Sequence, residues 1–329
     1  MFQRVHLQED EMDIQYLLFL QELRNATGGV FNEFFNAVSK IAVDVMIILP
    51  YLIFWCVDKT WGYRFMTSLW SGEVVNGIVK LTVCAYRPWI RSELIEPAGD
   101  SKTAATGYSF PSGHTVCATA TYGNVFIWQY NKRRWLAVLA GVAILLTGFS
   151  RNFLGVHTPQ DVIVGFLETC IIVLVVGAVS QKVKGNDKAI DIISAIGVLV
   201  VIAALIYIRF KPYPMDYVDG ALLVDPQKMM NDCFKGCGGL LGLIIGSYLE
   251  RHYIHYEIPV GARSLPLTTG IGCGIAISWK LFMGSAIFVT AFGDHIGGLV
   301  YGMLLSLFAT AIWPVVIMRF AEGSGRTGT

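Results

Sequence analysis

Charge is scarce in this sequence, and the scarcity is local. Lys, Arg, Asp and Glu make up 15% of its 329 residues, where a soluble domain carries roughly 25%. The missing charge is absent from several apolar runs of about 17–25 residues, the length a helix needs to cross a hydrocarbon core. That excludes an ordinary soluble domain and predicts an integral, multi-pass membrane protein. An excess of one sign is also lacking. Net charge is +1, so a nucleic-acid partner has no support. No cleavable leader is expected, because Glu9, Asp10 and Glu11 stand where a basic n-region would be. The seven cysteines lack zinc-ligand spacing. Cys56, Cys84, Cys117, Cys170 and Cys273 lie within or beside apolar runs and read as small buried hydrophobes. Cys233 and Cys237 are one helical turn apart.

What is present reads as an all-α fold, a polytopic membrane helical bundle of about nine transmembrane helices. Residues 1–40 precede it. There Ile14, Leu17 and Leu18, then Phe31, Phe34, Phe35 and Val38, recur at helical spacing around Gly28-Gly29. They predict two short amphipathic helices, either lying in the interface or packed on the bundle. Spans are expected over about 41–57 with a kink at Pro50, 63–85, 112–130, 135–149, 159–179, 189–208, 234–249, 267–282 and 296–318. Residues 41–185 form the expected catalytic core; residues 186–329 add spans with no assigned role. Basic turns at Lys59 and Arg64, Lys132 to Arg134, Lys182 to Lys188, Arg251 and Arg263, and Arg319 and Arg326 fall on one side of this arrangement. The positive-inside rule makes that side cytoplasmic. The 86–111 and 150–160 loops then face out.

Three polar islands interrupt the apolar pattern between Lys80 and Asp161. In the first, Lys80 and Arg87 are seven residues apart, two helical turns and nearly one face. The Arg fork suits phosphate oxygens, and a Lys within a span needs a reason. The plainer alternative is a snorkelling interfacial pair. The second, Pro111-Ser112-Gly113-His114, reads as a helix start. Ser112 can cap it, and its first-turn amides make an anion site that Gly113 leaves open. His114 then stands beside that site, as a catalytic group or as a structural one. In the third, Ser150-Arg151 is followed by His157 and Asp161. Thr158 and Pro159 start another helix, and Asp161 can reach back to the His157 ring and fix its tautomer, or simply cap the helix. Arg151, beyond the end of the preceding span, adds a third cation. No carboxylate cluster stands at the mouth to hold a metal, so these cations would neutralise a phosphate themselves, with no metal and no cofactor.

Lys80, Arg87 and Pro88, then Pro111, Ser112, Gly113 and His114, then Ser150, Arg151, His157 and Asp161 resemble the three-part signature of the type 2 phosphatidic acid phosphatase (PAP2) family, which also includes vanadium haloperoxidases. The resemblance covers roughly residues 40–185, and residues 51–61 look like bacterial members. It implies a metal-independent phosphatase in the bacterial plasma membrane with its site facing outside. His157 would be the nucleophile forming a phosphohistidine, His114 the general acid and Asp161 the orienting carboxylate. Lys80, Arg87, Ser112, Gly113 and Arg151 would hold the phosphate. The partner implied is a phospholipid or polyprenyl phosphate. A lipid phosphotransferase would use the same site, and a transporter would use ionisable groups of the added spans such as Lys280, Asp294 and His295. Haloperoxidase chemistry is disfavoured, since nothing here reads as a soluble domain. No motif encodes the tail-binding surface or an oligomeric state.

Overall fold

Caps and prolines cut the chain into helices whose bounds fix where the polar islands lie. The computed structural model describes residues 12–105, 107–218, 220–258 and 285–325. In order these are α1 (Met12–Ala26), α2 (Asn32–Lys40) running into a π-helical turn (Ile41–Val45), α3 (Leu49–Cys56), α4 (Lys59–Val83), α5 (Pro88–Arg91), α6 (Ser101–Ala104), α7 (Gly113–Gln129), α8 (Arg134–Phe153), α9 (Pro159–Lys182) and α10 (Asp187–Phe210). A small antiparallel hairpin follows, β1 (Tyr217–Val218) with β2 (Ala221–Leu222). Then come α11 (Pro226–Leu249), a π-helical turn (Glu250–Ile254), α12 (Ser285–Phe292), α13 (Asp294–Leu307), a third π-helical turn (Phe308–Ile312) and α14 (Trp313–Gly325).

The fold is all-α in character, and the chain is a multi-pass membrane protein. Among the described residues α8, α9, α10 and the stretch Asp294–Arg319 are long and apolar enough to cross a membrane. The bent pair Asn32–Val45 and Leu49–Cys56 would make a fifth span. The helices α4 and α11 have 25 and 24 residues but are not in that set. Both carry polar side chains along their length, among them Glu73 and Asn76 on α4 and Asn231 and Lys235 on α11. At 17 residues α7 is shorter. The span expected over 267–282 lies outside the described residues, as do Lys280 and Cys273.

Several boundaries differ from the sequence reading. The first expected span is bent by 43° at residues 46–48, ahead of Pro50 rather than at it. Pro50 sits in the first turn of α3, where a missing N–H costs nothing. Residues 84–87 are not helical: Cys84 is left-handed (φ 54°) and Arg87 is extended (φ −65°, ψ 153°), because Pro88 pushes the residue before it out of the helical region. Lys80 and Arg87 therefore do not share a helix face. Helix α8 continues to Phe153, so Arg151 lies in its last turn rather than beyond its end.

The chain divides into two compact units. One comprises Met1–Ile47, Val75–Val173 and Phe210–Met230 and contains all three polar islands. In it the inner face of α1, Ile14 and Leu17, packs with Ile95. The outer face leaves Phe19 exposed, and Phe34 of α2 is exposed likewise. Ala98, Ala105, Leu154 and Val156 form a second small core there. The other unit comprises Ile48–Val74, Leu174–Arg209 and Asn231–Thr329. Its core gathers Phe54, Trp55, Met66, Trp70, Tyr256 and Trp313. There the buried Glu250 carboxylate accepts from Lys59 Nζ at 2.8 Å, Tyr63 OH at 3.1 Å and the Tyr256 amide at 2.9 Å.

Candidate active site

The third island owes its shape to the way α8 ends. Gly155 takes φ 73°, a left-handed conformation open to glycine at little cost. Its N–H donates to Asn152 O at 2.9 Å and the Val156 N–H reaches Arg151 O at 3.1 Å. This pair of bonds is a Schellman ending, and it spends the last carbonyls of α8. His157 follows, with its N–H also on Arg151 O at 3.3 Å and its carbonyl accepting from Asn152 Nδ2 at 2.9 Å. Thr158 then caps α9, its Oγ1 accepting from the Asp161 N–H at 3.3 Å. The spacing of Arg151, His157 and Asp161 is thus one helix stop joined directly to the next helix start.

Asp161, one turn into α9, faces back. Its Oδ2 accepts from His157 Nδ1 at 3.1 Å, from the Thr158 N–H at 2.9 Å and from Ser109 Oγ at 2.5 Å. With Nδ1 carrying the proton, Nε2 holds the free lone pair, and Arg87 Nη1 donates to it at 2.8 Å. Arg87 also donates from Nη1 to Val156 O at 3.0 Å and from Nε to Gly107 O at 3.1 Å. Burial and the adjacent Arg87 charge hold the His157 ring well below the ordinary imidazole range, against the opposing pull of Asp161. Burial also draws Arg87 down to about 10, which leaves it a cation at neutral pH.

The second island is fastened to both others. The Ser109 N–H donates to Ala85 O at 2.8 Å, and the Ser112 N–H to Asp161 O at 3.0 Å. Lys80, 8% exposed, donates to the carbonyls of Tyr108 (3.4 Å), Ser109 (3.2 Å) and Pro111 (2.6 Å). Asn76, one turn earlier on α4, adds a bond to Pro111 O at 3.3 Å. Ser112 caps α7, accepting from the Thr115 N–H at 3.5 Å. The first-turn amides of α7, which a helix leaves without an intrahelical acceptor, include those of Gly113 and His114. The charges of Arg151, Arg87 and Lys80 and the ring of His157 all lie within electrostatic reach of the half-buried His114 ring. Arg151 is 2% exposed. Its Nη1 donates to Ser39 Oγ at 2.5 Å, while Nε and Nη2 are buried with no partner among the described residues.

The structure therefore places the three islands in one unit; Asp161 and Arg87 contact the buried His157 ring directly, and Lys80 and His114 lie within electrostatic reach of it. Sequence reasoning missed Ser109, Asn76, Asn152 and Ser39. None carries a periodicity or motif signal of its own, since each acts through a contact made only after folding. Of the groups considered for transport, His295 shares a hydrogen bond with Asn231 at 2.7 Å, and Asp294 opens α13.

A sequence-family model described as the PAP2 superfamily matches residues 61–184. The undecaprenyl-diphosphatase BcrC of Bacillus subtilis is 36% identical over 154 residues, 44% of this chain and 72% of that protein. The chain belongs to the PAP2 superfamily. Two further relatives match at lower identity. Phosphatidylglycerophosphatase B of Bacillus subtilis is 29% identical over 37% of this chain and 64% of its own length. Mouse sphingosine-1-phosphate phosphatase 1 is 22% identical over 84% of this chain and 57% of its own. The chain thus spans slightly less than two thirds of the phosphatidylglycerophosphatase it matches. No solved structure matches it. The superfamily match contains all three islands, and it contains Asn76, Ser109 and Asn152, but not Ser39.

Proposed function

We propose that the chain is a membrane lipid phosphatase that hydrolyses a phosphate monoester or diphosphate through a phosphohistidine. The observation that carries this reading is the polarity of His157. Its Nδ1–H is held by Asp161, and its Nε2 lone pair is turned toward a guanidinium. A neutral imidazole in that tautomer is a nucleophile, and the cation beside it is placed to draw an anion to the lone pair.

Phosphate arrival requires one exchange. Arg87 moves its Nη1 hydrogen bond from Nε2 to a phosphoryl oxygen, which frees the lone pair. Nε2 then attacks phosphorus as the bond to the lipid oxygen breaks, and His114 gives its proton to that leaving oxygen. The imidazolium of the phosphohistidine is stabilised by Asp161. Water, deprotonated by His114, attacks phosphorus and returns the electron pair to Nε2, releasing orthophosphate. Charge in a loose phosphoryl transition state is spread over the equatorial oxygens. Arg87, the open edge of Arg151 and the first-turn amides at Gly113 and His114 would take it. Lys80 contributes charge and binds the carbonyls of Tyr108, Ser109 and Pro111. The reaction needs no metal, since cations and amides neutralise the phosphate.

The substrate class follows from the setting and from relatives named for phosphatidylglycerophosphate, undecaprenyl diphosphate and sphingosine 1-phosphate. All present a terminal phosphoryl group on an apolar tail. In the nine-span arrangement expected from the sequence, with its basic turns cytoplasmic, the site would open on the extracytoplasmic face of a bacterial plasma membrane. The test is His157→Ala. Orthophosphate release from a panel of lipid phosphates should fall by several orders of magnitude, on the order of 10⁴-fold or more, while the protein still inserts. Retained turnover removes the nucleophile. Wild-type transfer to an acceptor lipid without free phosphate would make the protein a phosphotransferase instead.

A further inference from the structure

We propose that Ser39 is the positioning residue for Arg151, which makes the amino-terminal helix pair α1–α2 part of the phosphate site. The identity of the ligand rests on the phosphatase reading above; the contact itself does not. Ser39 is 1% exposed and lies in the last turn of α2. Its Oγ is the one described acceptor on the Arg151 side chain, at 2.5 Å from Nη1.

A guanidinium carries five N–H donors in one plane. Fixing Nη1 on one side sets the rotation of that plane. What remains is the Nε–Nη2 edge, the fork that grips two oxygens of a tetrahedral anion. In Arg151 both atoms of that edge are buried without a partner among the described residues, a costly state for a charged group. The edge lies within electrostatic reach of the His114 ring and of Arg87. A phosphate there would complete it. Without Ser39 the guanidinium could rotate about its stem, and the fork would no longer be preorganised.

The rest of the pair is built to hold Ser39 still. Phe35, four residues earlier and so on the same helix face, packs its ring at 4.4 Å from that of Phe153 and 5.3 Å from that of Phe149. Both lie on α8, flanking Arg151. From α1, the buried Arg24 donates to Phe153 O at 2.9 Å and to the Glu96 carbonyl. Asp13 pairs with Arg91 at 2.7 Å, four residues past Arg87. Two cation-bearing segments of the site are thereby tied to the same two amino-terminal helices. Residues 12–40 lie outside the superfamily match.

The experiment is a double-mutant cycle on the full-length protein in detergent. Orthovanadate, which mimics the five-coordinate phosphoryl state, is the probe, and its dissociation constant is read by thermal shift. Ser39→Ala should weaken vanadate binding about tenfold while Tm without vanadate falls by a few degrees at most. In an Arg151→Lys background, which keeps the charge and removes the fork, the same Ser39→Ala change should alter vanadate binding by less than about twofold. Unchanged affinity in the single variant overturns the proposal. An equal loss in both backgrounds also overturns it, because Ser39 would then act through the fold and not through Arg151. A wild-type protein that neither binds vanadate nor releases phosphate from lipid phosphates would instead sink the phosphatase reading.

Discussion

A single oxygen, Asp161 Oδ2, organises the residue scale. It gathers three donors and so decides which nitrogen of His157 carries the proton. Asp161→Asn keeps the shape and loses the charge, and an amide that turns its NH₂ toward Nδ1 reverses the tautomer. Phosphate release should fall by roughly 10²-fold or more, yet less than in His157→Ala; an equal or larger loss would make Asp161 more than an orienting group. The His157 ring also predicts a pH response. Its folded midpoint lies well below the ordinary value, about 6.5 in an unfolded chain. On acidification the unfolded state therefore takes up the proton first. The ring's contribution to stability is complete above about pH 6.5 and is lost as pH falls toward the folded midpoint. Tm in detergent should drop between pH 7 and pH 5, and ¹⁵N titration of labelled histidines should show the ring uncharged at pH 6.5 with the proton on Nδ1. A charged ring at that pH would contradict the arrangement.

At the scale of elements, the site is made where helices stop and start. Two glycines bear on it. At Gly155 any other residue must hold a left-handed conformation, at a cost of about 1–2 kcal/mol. The bonds at stake are those that place His157. Gly165, one turn beyond Asp161, lies against the cap of α7, where an added Cβ would stand 3.0 Å from the Ser112 carbonyl oxygen. Gly155→Ala should lower Tm by a few degrees and cut turnover several-fold. Gly165→Val should cut turnover more steeply, since it pushes directly on the α7 start that presents Gly113 and His114. Phosphate release and Tm measured together on both variants check this; an active Gly165→Val protein would mean the α7 start tolerates displacement.

At the scale of the whole molecule, the basic turns set sidedness and the cations of the site stand in for a metal. Single cysteines placed in the 131–134 and 183–188 turns should react with an impermeant thiol reagent only after the membrane is opened, whereas one at residue 94 should react from outside. The opposite pattern would turn the site inward and exclude an outer-leaflet substrate. Turnover should be indifferent to EDTA, because the phosphate-neutralising charge is protein-borne. Strong inhibition would reveal a metal that the cationic residues were thought to replace.

Sequence alone determined what rests on local chemistry and composition. Apolar runs require a membrane, Ser112 and Thr158 start helices because their side-chain oxygens serve first-turn amides, and Pro88 forces Arg87 to be extended. Helix spacing also put Asp161 within reach of the His157 ring, with a plain helix cap as the alternative, and the folded structure shows the contact made. What only the tertiary structure decided is everything that depends on distant segments meeting. Lys80 and Arg87 do not share a helix, because a left-handed Cys84 follows the end of α4 and the extended Arg87 before Pro88 turns its guanidinium to Nε2 of His157. Ser109 joins the Asp161 cluster and Ser39 meets Arg151 across 112 residues of sequence. A lone serine has no periodic or electrostatic signature, and its value is set by which buried group stands in front of it.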